Sequence, residues 1–161
     1  AVTLIESSST LKLSEGYARY IIEAQRVVAT AGFRKGSNII DLSGQSPGLL
    51  FSLGALGVGQ AWTIGGYEGS ENRAIASLMN ASCQTLSDAW LLIEPGGPRS
   101  LSSAILTSFG SDLDHDYRLV GSWQTAKGAG GYDQQRMQNL YKPSRPEDIK
   151  FSCEALREAI R

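Results

Sequence analysis

Two cysteines, one histidine and no long apolar run are what this 161-residue chain offers to three large functional classes. Cys83 and Cys153 are too few for a disulfide scaffold and lack the spacing of a metal site. Free cysteine is among the most buried residue types, so two buried thiols are the expectation. One disulfide is the alternative if the compartment is oxidising. Leu49 to Leu56 and Ala89 to Ile93 fall far short of the roughly 20 apolar residues that cross a bilayer. Charge of a single sign is missing too. Fifteen basic residues nearly balance sixteen acidic ones, and no basic cluster offers the phosphate contacts that a nucleic-acid binder needs. The chain starts at Ala1 without an initiator Met, which fits a mature product or a piece excised from something longer.

What is present describes one globular domain. Hydrophobic residues make up 42% of the chain, and its length suffices to bury a core. Residues 1 to 13, with Ser7 to Thr10 between small apolar groups, read as a linker or lead-in, and 14 to 161 as a single α/β domain. Tyr17, Tyr20, Ile21, Ala24, Val27, Val28 and Ala31 form a helical stripe, with Ser14 as cap and Gly32 as stop. Ser37 to Leu42 reads as a buried strand, followed by a short helix begun by Ser46 and Pro47 that buries Leu49, Leu50, Leu53 and Leu56. Ala61 to Ile64 reads as a second strand. A helix capped by Ser70 then carries Ile75, Leu78, Met79, Ser82 and Leu86, and Ala89 to Ile93 is the third strand.

Strand alternating with helix points to a three-layer, Rossmann-like fold with a mainly parallel sheet. After a short helix over 100 to 109, the alternation of Tyr117, Leu119, Gly121 and Trp123 and the run from Gln135 to Tyr141 add an antiparallel C-terminal hairpin. A final amphipathic helix begins at a capping box of Ser144 and Glu147 and carries Ile149, Cys153, Leu156 and Ile160.

In an open parallel sheet, ligands lodge beyond the carboxyl ends of the strands. Three loops fall there: Asp41 to Gly48, Gly65 to Ser70, and Glu94 to Arg99. The candidate ligand-binding residues are Asp41, Ser43, Gly44, Gln45, Ser46, Gly65, Gly66, Tyr67, Glu68, Ser70 and Glu94. Two of the loops lead into helix N-termini, where free amides favour an anionic group. Glycine also serves tight turns that bind nothing, and Ser46 and Ser70 also suit plain helix caps.

Catalytic motifs are missing. There is no Walker phosphate loop, no G-x-G-x-x-G after the first strand and no G-x-S-x-G elbow. His115, in the polar connector Asp112 to Asp116, suits an ion pair at the surface, and that cluster does not match a calcium loop. Trp62, Trp90 and Trp123 fit core packing better than sugar stacking. The run IIDLSGQSPG resembles the first motif of class I methyltransferases, but it lacks the closely spaced glycine pair. The second strand also ends in Gly65-Gly66 where that family has a ribose-binding acid, although Glu68 follows.

A series of longer stretches carries a different resemblance: AGFRKGSNIIDLSGQSPGLLFSLGA, GQAWTIGGYEGSENRA, DAWLLIEP, DYRLVGSW and QNLYKPSRP. It resembles the soluble C-terminal domain of bacterial multi-pass membrane proteins of the glycosyltransferase type, over residues 30 to 145. That resemblance implies an accessory, non-catalytic domain at the extracytoplasmic (periplasmic) face of the membrane. Its partner would be the membrane portion of the same polypeptide, and its ligand a sugar or an anionic group. The catalytic acid of such proteins lies in the membrane part, so no catalytic residue, metal or cofactor is expected here. Two other classes remain open at this point: a small methyltransferase-like enzyme with a nucleotide-type cofactor at the strand ends, and a structural or assembly domain with no small-molecule site.

Overall fold

The computed structural model describes residues 2–4, 10–60 and 62–160. Strands β1 (Val2–Leu4) and β2 (Thr10–Lys12) form a small antiparallel ladder where a lead-in was expected. Helix α1 (Glu15–Thr30) begins as its sequence dictates, with the Ser14 hydroxyl accepting the Tyr17 amide. It ends with Gly32 and Phe33 amides folded back onto the Ala29 and Val28 carbonyls. Ala18, Tyr20, Ile21, Ala24 and Val28 are buried along one stripe.

The main sheet has five strands: β3 (Asn38–Asp41), β4 (Leu56–Gly57), β5 (Trp90–Ile93), β6 (Tyr117–Gln124) and β7 (Met137–Pro143). Their spatial order is β4-β3-β5-β7-β6. The β3–β4 and β3–β5 ladders are parallel, whereas β5–β7 and β6–β7 are antiparallel. The expected hairpin is therefore present, and because it lies directly against the central strand the sheet is mixed, not mainly parallel.

Every residue of β5 is buried because the sheet is covered on both faces. On one face Ile39, Trp90, Leu92 and Leu140 pack with α1 and with α2 (Pro47–Ser52). On the other, Ile40, Leu91 and Ile93 pack with α3 (Ser70–Met79), α4 (Cys83–Asp88), a 3-10 helix over Ser103–Phe109, and α6 (Pro146–Ala159). Successive strand residues thus alternate between two cores, as the pleat requires.

Several expectations are corrected. Trp62–Ile64 is not a strand, and Ala61 lies outside the described residues. The place beside β3 is taken by Leu56 and Gly57, and the following chain turns across the strand ends, where the Trp62 indole donates to the Gly44 carbonyl at 3.0 Å. Leu56 is consequently exposed on the edge strand, and Trp62 is half exposed instead of core. The single helix expected from Ser70 is two, because the Ser82 hydroxyl accepts the Thr85 amide and restarts the helix. Arg145, not Ser144, sits at the α6 cap position, without a side-chain cap bond, so the capping box does not form. Its stripe buries Ile149 and Cys153 but leaves Ile160 exposed.

The cysteines are also corrected. Cys83 on α4 and Cys153 on α6 are buried and joined in a disulfide across a sequence separation of 70 residues. Closing a loop of that length in the unfolded chain is worth about 4 kcal/mol in the chain-entropy account. No helix among the described residues is long and apolar enough to cross a membrane.

Candidate functional site

The three glycine-bearing loops meet at the carboxyl ends of β3 and β5, as anticipated, but they meet by packing against one another. The Gly65 amide donates to the Arg99 carbonyl at 2.8 Å, and the Leu101 amide to the Leu42 carbonyl at 2.9 Å. Gly44 has φ +73°, and a Cβ there would lie 1.8 Å from the Arg99 carbonyl oxygen. At Gly65 and Gly66 a Cβ would come within 2.3 Å and 2.6 Å of the Ser100 and Pro98 carbonyls. These glycines are explained by backbone approaching backbone, with no ligand needed.

Polar side chains in the closed corner bond one another, with Gln45 Oε1 left buried and without a partner among the described residues. The Ser43 hydroxyl and amide both donate to Asp41 Oδ1, at 2.6 and 2.9 Å, and Ser43 Oγ lies 2.7 Å from Ser46 Oγ. Ser46 holds the N-cap position of α2, as expected, but makes no side-chain cap bond; its oxygen accepts from Gln138 Nε2 at 2.8 Å. Glu94 is wholly buried. Its Oε1 accepts from Gln45 Nε2 at 2.7 Å and from Arg136 Nε, and its Oε2 from Gln138 Nε2 at 2.9 Å. Gln138 completes its set by accepting at Oε1 from the Tyr20 hydroxyl (2.8 Å) and the Trp123 indole (3.0 Å). Arg136 also donates to the carbonyls of Gln134 and Ala129 and lies over the Tyr132 ring. Burial raises the Asp41 carboxyl above its ordinary value, against the lowering effect of the Ser43 and Ser46 hydrogen bonds. Burial also raises the Tyr20 phenol. The cleft beneath Asp41, between β3 and α3, has about 10 Å³ of room for a water's centre, enough for one water.

Of the sequence candidates, Asp41, Ser43, Gly44, Gln45, Ser46, Gly65 and Glu94 belong to this corner. Gly66 joins it to a different feature, which Tyr67, Glu68 and Ser70 line: an open groove of about 590 Å³ running from Gly66 to Asn72, with Ser100 as its far wall. Tyr67 is half exposed there, and Glu68 and Glu71 are exposed. Ser70 does not cap α3. Gly69 occupies the cap position at φ +78° with no side-chain cap bond. A second open groove, of about 580 Å³, lies between the first half of α1 and the hairpin end and is lined by Tyr20, Trp123, Lys127 and Met137 among others.

Sequence reasoning missed Arg136 and Gln138 as partners of Glu94, and Tyr20 and Trp123 as partners of Gln138. Gln138 carried a readable signal: a glutamine at an inward position of an alternating strand, two residues before the buried Leu140. Arg136 carried none. His115 is the surface residue expected, hydrogen-bonded on both ring nitrogens: Nδ1 lies 2.8 Å from Asp116 Oδ1, and Nε2 accepts from an Arg145 nitrogen at 2.9 Å. No cluster of three or more metal-ligating residues occurs among the described residues.

No protein-family model matches the chain, and comparison with curated proteins and with solved structures finds no match either.

Proposed function

We propose that this chain is a non-catalytic, extracytoplasmic domain of a membrane-associated bacterial protein of the glycosyltransferase type, offering a binding surface for a sugar, an acceptor or a protein partner. The observation that carries the reading is the buried Cys83–Cys153 disulfide, since such bonds persist in oxidising compartments such as the periplasm. The resemblance over residues 30 to 145 supplies the type of protein, and the membrane portion of the same polypeptide is the proposed partner. The inward-turned polar groups at the strand ends support an accessory role, because Glu94, Gln138 and Arg136 are engaged with one another. The three-layer, Rossmann-like reading of the fold belongs to the same proposal. Helices on both sheet faces and two parallel ladders support it, and two antiparallel ladders depart from it.

The test is to produce the chain with and without an export signal and to count alkylatable thiols in each product. The exported form is expected to have none, and the cytosolic form two, with the exported form more stable by about 4 kcal/mol in urea. Equal stability of the two forms, or free thiols in the exported one, removes the support.

A structural or assembly role is favoured by one observation of its own: Gly44 and Arg99 close the strand ends backbone to backbone. The methyltransferase-like alternative needs residues 97 to 100 to leave that position. Its measurement is the melting temperature with S-adenosylmethionine, which rises only if the cofactor binds the folded chain.

A further inference from the structure

We propose that the open edge of β6 docks an extended segment of a partner protein, one that sets a carboxylate beside Arg118 and an apolar side chain beside Leu119. This names the kind of partner that the accessory domain's binding surface takes, and it rests on that reading.

The two edges of the sheet are unequal. At one, β4 is cut to Leu56 and Gly57. At the other, β6 runs for eight residues, pairs only with β7 and contains no proline. Two bonds fix where its backbone groups point. The Thr125 amide donates to the Arg136 carbonyl, and the Asp116 carbonyl accepts from the Ser144 amide. In an antiparallel ladder, alternate residues turn toward the partner strand. Counting back from Thr125, Trp123 and Gly121 turn toward β7, so Ser122 and Gln124 turn outward. Counting on from Asp116, Arg118 turns toward β7 and Leu119 outward, and the irregularity between Leu119 and Gly121 absorbs the change of phase. The amides and carbonyls of Leu119, Ser122 and Gln124 have no partner among the described residues. Such a row is a template for another strand.

The side chains say what that strand carries. Arg118 stands directly opposite Lys142, whose ammonium lies 5.1 Å from the centre of the Trp90 ring. Neither cation has a carboxylate partner among the described residues. Like charges directly across a ladder destabilise it, and a carboxylate on a strand added beyond Arg118 relieves the pair. Neighbouring residues of a strand face opposite ways, so Leu119 lies on the other sheet face. It is 54% exposed there, opposite Tyr141, which packs against the core on that side. An apolar side chain next to Leu119 therefore extends that core. A second copy of the chain fits the edge less well. From Tyr117 to Gln124 β6 holds no acidic residue, so self-pairing gives Arg118 no counter-charge.

The experiment uses the whole chain with its disulfide intact and a panel of labelled peptides as long as β6 that alternate valine with threonine. One threonine position carries glutamate or lysine, and a further glutamate peptide is N-methylated at every amide, keeping its side chains but losing its ladder donors. Binding is read by fluorescence anisotropy, and amide exchange by NMR. A glutamate peptide is expected to bind saturably and to slow exchange at Leu119, Ser122 and Gln124. The lysine peptides should be weaker by about tenfold. Arg118→Glu should reverse that preference, and Leu119→Thr should weaken the glutamate peptide several-fold. The proposal is overturned if the N-methylated peptide binds as tightly as its parent, or if Arg118→Glu leaves the preference unchanged. It is also overturned if no peptide saturates up to its solubility limit, or if the peptide-free chain forms dimers that protect the same three amides. None of these outcomes touches the thiol count, so strand docking and the extracytoplasmic placement fail separately.

Discussion

The corner around Glu94 and the groove around Ser70 are neighbours built from similar residues, and they are opposites in what their polar groups do. Both contain glycine, serine and acidic side chains just ahead of or within the first turn of a helix. In the corner, each Glu94 oxygen accepts a side-chain donor and Gln138 uses all four of its hydrogen-bonding positions. In the groove, the Ser70 hydroxyl makes no hydrogen bond among the described residues, and Glu68 and Glu71 face solvent. The difference comes from strand β7. It brings Gln138, with Arg136 just before it, against the end of β5, whereas no such strand passes the start of α3. Loops that look alike in sequence therefore become a structural clamp in one case and an open surface in the other.

Glycine substitutions break the comparison most sharply. Gly44→Ala should destabilise by at least about 4 kcal/mol, or prevent folding, because its Cβ meets the Arg99 carbonyl in a left-handed backbone. Gly69→Ala has a similar φ but open space, and should cost about 1 kcal/mol. Urea unfolding of the two variants measures the contrast, and equal losses would mean that backbone conformation, not close approach, governs both.

Glu94→Ala comes next. It strands the Arg136 guanidinium in a nearly buried site and should cost about 3–5 kcal/mol. Replacing Glu68 in the groove by alanine should leave the urea midpoint unchanged within error.

The serines sharpen the comparison at lower amplitude. Ser46→Ala removes a hydroxyl that Gln138 uses and should cost about 1–2 kcal/mol, against less than about 0.5 kcal/mol for Ser70→Ala. Paired melting curves decide this, and a loss at Ser70 matching that at Ser46 would remove the distinction between closed and open.

Asp41 gives the smallest effect, with a sign set by pH. Burial raises its carboxyl in the fold, against the pull of the Ser43 and Ser46 bonds, so its protonated form is favoured there. Its contribution to stability is full below the ordinary value of 3.8 and is lost as pH rises through the raised folded value. Asp41→Asn keeps an oxygen for the Ser43 bonds and should be more stable than the natural chain at pH 7, by up to about 1 kcal/mol. That advantage should vanish at pH 3, as urea midpoints at the two values would record.

Much of the fold was legible because it is local. The α1 stripe, the Ser14 cap, the buried runs of β3 and β5 and the alternation of β6 depend on residues within a few positions of one another. Ser82 shows the limit of periodicity. Its place in a continuing helical pattern hid its function as the cap of α4. The candidate loops were found from their glycines and small polar residues. That signal is the same for a clamp and for a groove, so it could not divide Glu94 from Glu68.

Composition and periodicity by themselves determined an α/β chain whose glycine loops gather at the strand ends, because burial and helical or pleated spacing act over short stretches of chain. The tertiary structure alone decided that Cys83 meets Cys153 and that Trp62–Ile64 leaves the sheet. It alone decided that β7 lies beside β5 and so makes the sheet mixed. Each of these depends on a partner far away in sequence: a second sulfur, a free ladder edge, or the donors that a buried carboxylate must find when water is excluded.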